Sequence, residues 1–150
     1  MSASKSRARP RPPSGAGWEN SPAAISALPA EDIQKCGMSL RKAGYLKTAA
    51  DAVISGELNL ADLPNMSDDE AIATLVKLPG IGVWTAEMLL IFSLQRPDVI
   101  SFGDLGIKRG LGVLYGHKEI PCERFERYRR RYSPHGSIAS LYLWHLAGER

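Results

Sequence analysis

Residues 78–90 read Leu78-Pro79-Gly80-Ile81-Gly82-Val83-Trp84-Thr85-Ala86-Glu87-Met88-Leu89-Leu90, and this stretch decides the fold. Pro79-Gly80 stops a helix, and two glycines flank a single aliphatic residue. Upstream, Ser67-Asp68-Asp69-Glu70 is a helix start, with Ser67 as N-cap and Glu70 as the residue that bonds back to it. Ile72, Leu75 and Val76 carry an apolar stripe from there to Leu78. Downstream, residues 83–94 form the next helix. Only about four residues join the two, so they fold back on each other as a hairpin.

The turn has a composition suited to an anion. Gly80 and Gly82 can take backbone angles closed to other residues, and they leave the outer surface of the turn bare. The amides near Gly80, Gly82 and Val83 belong to the unpaired first turn of the second helix. A phosphate oxygen can satisfy them, and the helix dipole favours its charge. Such contacts read no base edge, so they are independent of nucleic-acid sequence. Leu78, Pro79, Gly80, Ile81, Gly82 and Val83 are therefore the expected DNA-binding turn, with Ile81 plugging back into the seam between the helices.

Working outward, the rest of the chain is also helical in pattern. Residues 23–36 form a weak helix interrupted at Pro29, with Glu31 and Asp32 placed early in its second half. Ser39 caps a helix over residues 40–55 that Gly56 ends. Residues 60–66 are a connection. After Arg96-Pro97-Asp98, Asp104 opens a helix over 105–115, Pro121 one over 122–132, and 137–147 is the last. No stretch alternates with period two for long enough to make a strand. The expectation is an all-α fold, a compact array of six or seven short helices around a helix-hairpin-helix motif. Residues 1–22, rich in Pro, Ser, Gly and Arg, are expected to be a disordered basic arm, and 23–150 the folded domain.

Bulk composition narrows the partners. Lys and Arg outnumber Asp and Glu by 19 to 16, which permits nucleic acid without demanding it. Two distant cysteines, Cys36 and Cys122, cannot build a four-cysteine iron–sulfur or zinc site and are expected as free thiols. His117, His135 and His145 have no ligand spacing, so no side-chain metal site is expected. No apolar run approaches a membrane span, and the basic residues near the start are followed by no apolar core, so they are not expected to be a secretory signal. A cytoplasmic, DNA-associated location is expected, nuclear in a eukaryote, with the chain a monomer.

Asp104 is the candidate catalytic residue. It follows Gly103 and precedes a helix, so it is also a natural N-cap. The two roles are compatible, because a carboxylate at a helix N-terminus stays ionised. A fixed negative charge can stabilise an oxocarbenium-like sugar or orient water against it. Asp98 is a rival, read as a loop tie. Trp84, on the first turn of the second hairpin helix, either stacks on an extruded base or packs as a plain aromatic. Tyr142 and Trp144 are read as core. The 123–132 stretch is amphipathic, with Phe125, Tyr128 and Tyr132 on one face. Its arginines are either a phosphate contact or a solvated face.

The hairpin string, Arg96-Pro97-Asp98-Val99, and Gly103-Asp104-Leu105-Gly106-Ile107-Lys108-Arg109 together resemble the helix-hairpin-helix DNA glycosylases. Gly37-Met38-Ser39-Leu40-Arg41-Lys42-Ala43 and Tyr142-Leu143-Trp144 extend the likeness to the 3-methyladenine DNA glycosylase II branch, over residues 25–147. The resemblance implies an HhH-GPD fold, partial here because the branch carries a further N-terminal portion. It implies base excision repair: excision of alkylated purines from double-stranded DNA by hydrolysis of the N-glycosidic bond, with Asp104 catalytic. It also implies a monovalent cation on the carbonyls of Val76, Leu78 and Ile81, and no other cofactor. Trp84 stands where the lyases of the superfamily carry a Schiff-base lysine, so a monofunctional enzyme is implied. The alternative is a noncatalytic helix-hairpin-helix DNA-binding module. At Gly136 the branch carries Arg, and its loss is expected to loosen the last helix or a phosphate contact.

Overall fold

A computed structural model describes residues 21–148. Residues 1–20, most of the expected arm, lie outside them. Ser21 and Pro22 already cap and open the first helix. The described chain is all-α: α1 (Pro22–Ala27), α2 (Ala30–Gln34), α3 (Leu40–Ile54), α4 (Asp68–Leu75), α5 (Val83–Phe92), α6 (Leu105–Tyr115), α7 (Cys122–Tyr132) and α8 (Gly136–Gly148), with a 3-10 turn at Leu63–Asn65. These helices group into two compact units. Among the described residues, one holds those up to Ala61 together with Leu78–Gly80, and the other holds Asp62–Lys77 and those from Ile81 on.

In the first unit α1 and α2 pack on α3. Ser21 and Ser39 cap α1 and α3, their hydroxyls accepting from the amides of Ala24 at 3.2 Å and Lys42 at 3.3 Å. The Lys47 ammonium donates to the carbonyls of Ser26 and Leu28 and so closes the open end of α1. Gly80 is fixed twice over. Its φ is +86°, and a Cβ there would lie 2.2 Å from the Tyr45 ring of α3.

In the second unit α4 begins with the full capping box expected. The Ser67 hydroxyl accepts from the Glu70 amide, and the Glu70 carboxylate accepts from the Ser67 amide at 2.8 Å. Fully buried Ala71 and Ala86 let α4 and α5 approach closely, around a core of Leu63, Leu75, Leu90 and Val99. Ile81 packs against this core, as its place between the glycines implies. A second cluster joins Ile107 and Leu111 of α6, Phe125 and Tyr128 of α7 and Leu143 of α8. Gly110 is where α6 meets α8, since a Cβ there would lie 2.2 Å from the Leu143 carbonyl.

Some helix ends differ from expectation. α4 stops at Leu75 rather than Leu78, because its end tightens: the Lys77 amide bonds the Thr74 carbonyl, and Pro79 bars Leu78 from helical angles. α5 stops at Phe92, and Gln95 turns left-handed at φ +53°. The 60–66 connection contains the 3-10 turn, held by Arg96. That guanidinium donates to the carbonyls of Leu63 and Pro64, both at 3.1 Å, and of Met66 at 2.5 Å, and pairs with Asp68 at 3.4 Å.

Candidate active site

Asp104 caps α6, its Oδ1 accepting from the Ile107 amide at 2.8 Å. Two indoles reach the same carboxylate. Trp84, on the first turn of α5, donates from Nε1 to Oδ2 at 2.7 Å. Trp144, on α8, donates from Nε1 to Oδ1 at 2.9 Å. Three helices thus converge on one acid. Gly106 makes the room, since a Cβ there would lie 2.7 Å from Trp144 Cδ1 and 3.1 Å from Asp104 Oδ1. Trp144 also packs against both core clusters, which fixes the plane of its ring.

Asp104 is buried, at 7% exposure, while Trp84 beside it is 50% exposed. Burial pushes the Asp104 carboxyl up. The Trp84 indole, the Ile107 amide, the Trp144 indole and the Gly106 amide pull it down, and together they win. The group is therefore held below its ordinary value and is ionised at neutral pH. The result is a single oriented negative charge with an exposed aromatic at its edge, suited to meeting positive charge that develops on a bound molecule.

A second carboxylate lies within electrostatic reach of the first. Glu87 lies one turn along α5 from Trp84 and accepts a hydrogen bond from the fully buried Ser101 hydroxyl. Burial pushes Glu87 up. Ser101 and Arg129 pull it down, and the charge of Asp104 raises it further, with a net upward shift. The segment before Asp104 is also tied to α8. The Val99 amide donates to Ser137 Oγ at 3.0 Å, and Ser140 Oγ donates to the Val99 carbonyl at 3.1 Å.

Asp98 is the loop tie that its position suggested. It accepts from Ser133 Oγ at 2.5 Å and from the Gly136 amide at 3.0 Å. Gly136, the position expected to loosen the last helix or a phosphate contact, opens α8 with its amide on the Asp98 carboxylate. A Cβ at Gly136 would lie 2.8 Å from Asp98 Oδ1, so the absent side chain is what lets Asp98 secure the start of α8.

At the hairpin, only Gly80 takes the left-handed angles expected of both glycines. Gly82 is extended at φ −91°, open to any residue, with nothing within 4 Å of its Cβ position. No side chain caps α5 there, and Gly82, Val83 and Pro79 are exposed while Leu78 is buried. The amides of Gly80, Gly82 and Val83 donate no hydrogen bond among the described residues. The carbonyls of Val76, Leu78 and Ile81 likewise accept none there. On α7, Phe125 and Tyr128 are buried as the pattern implied, and Arg129 pairs with Glu126 at 3.5 Å. No group of three His, Cys, Asp or Glu among the described residues could hold a metal ion.

A family model described as HhH-GPD superfamily base excision DNA repair protein matches residues 11–134. The chain belongs to the HhH-GPD superfamily. It is 38% identical over 125 residues to DNA-3-methyladenine glycosylase 1 of Schizosaccharomyces pombe, covering 82% of this chain and 55% of that protein. Among solved structures it is similar to a DNA-3-methyladenine glycosidase of Bacillus halodurans, with TM-score 0.74 and 36% identity, over 86% of this chain and 60% of that one. The S. pombe 3-methyladenine DNA glycosylase in complex with abasic DNA matches with TM-score 0.74 and 37% identity, over 83% and 61%. This HhH-GPD chain spans about half the length of the curated relatives it matches. No helix among its described residues is long and apolar enough to cross a membrane.

Sequence reasoning singled out Asp104 and Trp84 but passed over Gly106, and it read Tyr142 and Trp144 as core: Tyr142 is instead 69% exposed, while Trp144 packs against both clusters and also reaches Asp104. Only the Tyr142-Leu143-Trp144 likeness pointed towards that indole. Nothing local marked the glycine.

Proposed function

We propose that this HhH-GPD chain acts as a monofunctional DNA glycosylase that releases alkylated purines of the 3-methyladenine type from duplex DNA. The observation that carries the reading is the Asp104 carboxylate, held ionised by two indoles and the first turn of α6. Purines alkylated at N3 or N7 already carry positive charge and leave with the bonding electron pair as neutral bases, without an acid. What the site must supply is stabilisation of the cationic sugar at C1′ and of the water that then bonds to it, and a buried carboxylate does this. Trp84, half exposed beside that carboxylate, offers a face on which a flipped base stacks. The hairpin amides would hold the phosphates and the free carbonyls of Val76, Leu78 and Ile81 a monovalent cation. Tighter DNA binding in potassium than in lithium would support that cation. The chain is proposed to act as a monomer, which sedimentation would check.

A noncatalytic DNA-binding module is the second reading. It is favoured by the 7% exposure of Asp104, whose oxygens are all engaged by protein donors. Incubation with methylated duplex DNA separates the two. Free 3-methyladenine above the level of an Asp104→Asn control supports the enzyme. Duplex binding without release, unchanged by Asp104→Asn, overturns it in favour of the module.

A further inference from the structure

One face of α6 begins at the residue after Asp104 and lines an open groove. Leu105, Lys108, Arg109, Gly112 and Val113 follow at intervals of three and four residues, so they share that face. The connection from α6 to α7 forms the opposite wall and contributes Lys118. The groove has a volume of about 820 Å³. Its floor is low because Gly112 has no side chain. A Cβ there would lie 2.7 Å from the His117 carbonyl, so the connection closes tightly against the helix.

The charge of the groove is one-sided. Lys108, Arg109 and Lys118 line it, against the single acid Glu119. His117 is engaged with the Tyr128 hydroxyl at 2.8 Å. Lys108 is held by the face of the Phe102 ring, 3.8 Å from its centroid, rather than by a carboxylate. None of the three cations is in an ion pair among the described residues, whereas Lys35, Arg96 and Arg129 are. Leu105 at the head of the groove is 75% exposed, an apolar surface beside the catalytic acid. Unpaired cations along a groove that starts at the reacting position, with an apolar lip, match a polyanion whose sugar lies at Asp104.

We propose that this groove is a second contact track for the phosphodiester backbone of the strand that carries the target nucleotide. The hairpin grips the strand on one side of that nucleotide and the α6 groove takes it on the other. The inference rests on the glycosylase reading and adds to it a second DNA contact surface. From Leu105 to Gly116 the helix advances about 16 Å. One strand of duplex passes a phosphate about every 3.4 Å of axis, so the groove spans several phosphates, of which the three cations can neutralise two or three.

The test is the salt dependence of binding to a fluorescein-labelled duplex holding a tetrahydrofuran abasic analogue. Arg109→Gln/Lys118→Gln removes two exposed groove cations. Arg127→Gln/Arg130→Gln on exposed α7 positions removes the same charge elsewhere, and the N-terminal basic residues are common to all proteins compared. Each lost phosphate contact flattens the slope of log K against log salt by about 0.9, so the groove variant should lose about 1–2 in slope and bind about tenfold or more weakly. The α7 variant should keep the wild-type slope. A groove variant that runs parallel to wild type, or loses no more than the α7 variant, overturns the proposal while leaving the glycosylase reading intact. Absence of duplex binding by the wild type instead sinks that reading and the groove with it.

Discussion

Gly106→Ala is the sharpest perturbation of the site. In most helices such a change helps, since Ala is favoured over Gly by up to about 1 kcal/mol. Here the new Cβ would lie 2.7 Å from Trp144 Cδ1 and 3.1 Å from Asp104 Oδ1. The indole has little freedom to yield, because it packs against both clusters of the core. If it holds its place, overpacking costs about 1–3 kcal/mol. If it swings away, its hydrogen bond to a carboxylate is lost, worth about 1.5–3 kcal/mol. With the helix gain subtracted from either cost, the variant should be less stable by about 0.5–2 kcal/mol. Urea denaturation followed by circular dichroism reads this directly. Repeating the substitution in a Trp144→Ala background completes a double-mutant cycle, and there the cost should shrink to within about 0.5 kcal/mol of zero. A Gly106→Ala protein as stable as wild type, or one equally damaged with and without Trp144, would refute the three-way seat of Asp104, Gly106 and Trp144.

Trp144→Phe keeps an aromatic but removes a donor, so Asp104 rises towards its ordinary value of 3.8. A depressed carboxyl contributes stability that is present above that value and lost as pH falls through the folded one. The stability gap between wild type and variant should therefore be open at neutral pH and close in acid, and the acid limb of base release should move to higher pH. Glu87 is shifted the other way, above its ordinary 4.5, so its charge costs stability at neutral pH and the cost fades as pH falls. Glu87→Gln, which keeps an acceptor for Ser101, should gain on wild type in neutral denaturation curves and lose that advantage in acid. Gly80→Ala puts a side chain at φ +86° and against the Tyr45 ring, and should destabilise by about 1–3 kcal/mol or more on denaturation.

The sequence by itself determined the all-α fold, the capping box at Ser67, the turn at Gly80 and the place of Asp104 at the head of α6. Each follows from residues within about four positions of one another, because caps and helix periodicity act over a single turn. Local signals also placed α6 and α7 to the residue. The tertiary structure decided which side chains meet Asp104. Trp84 and Trp144 lie 20 and 40 residues from it, and no local rule links them. Their meeting depends on how α5, α6 and α8 cross, set by where backbone approaches backbone at Gly110 and ring approaches backbone at Gly106. The same holds for Arg96 on the 63–66 carbonyls and for Glu87 on Ser101. A polar side chain finds a distant partner only after apolar packing has fixed the helices, so such pairs are written in the core and not in the neighbouring sequence.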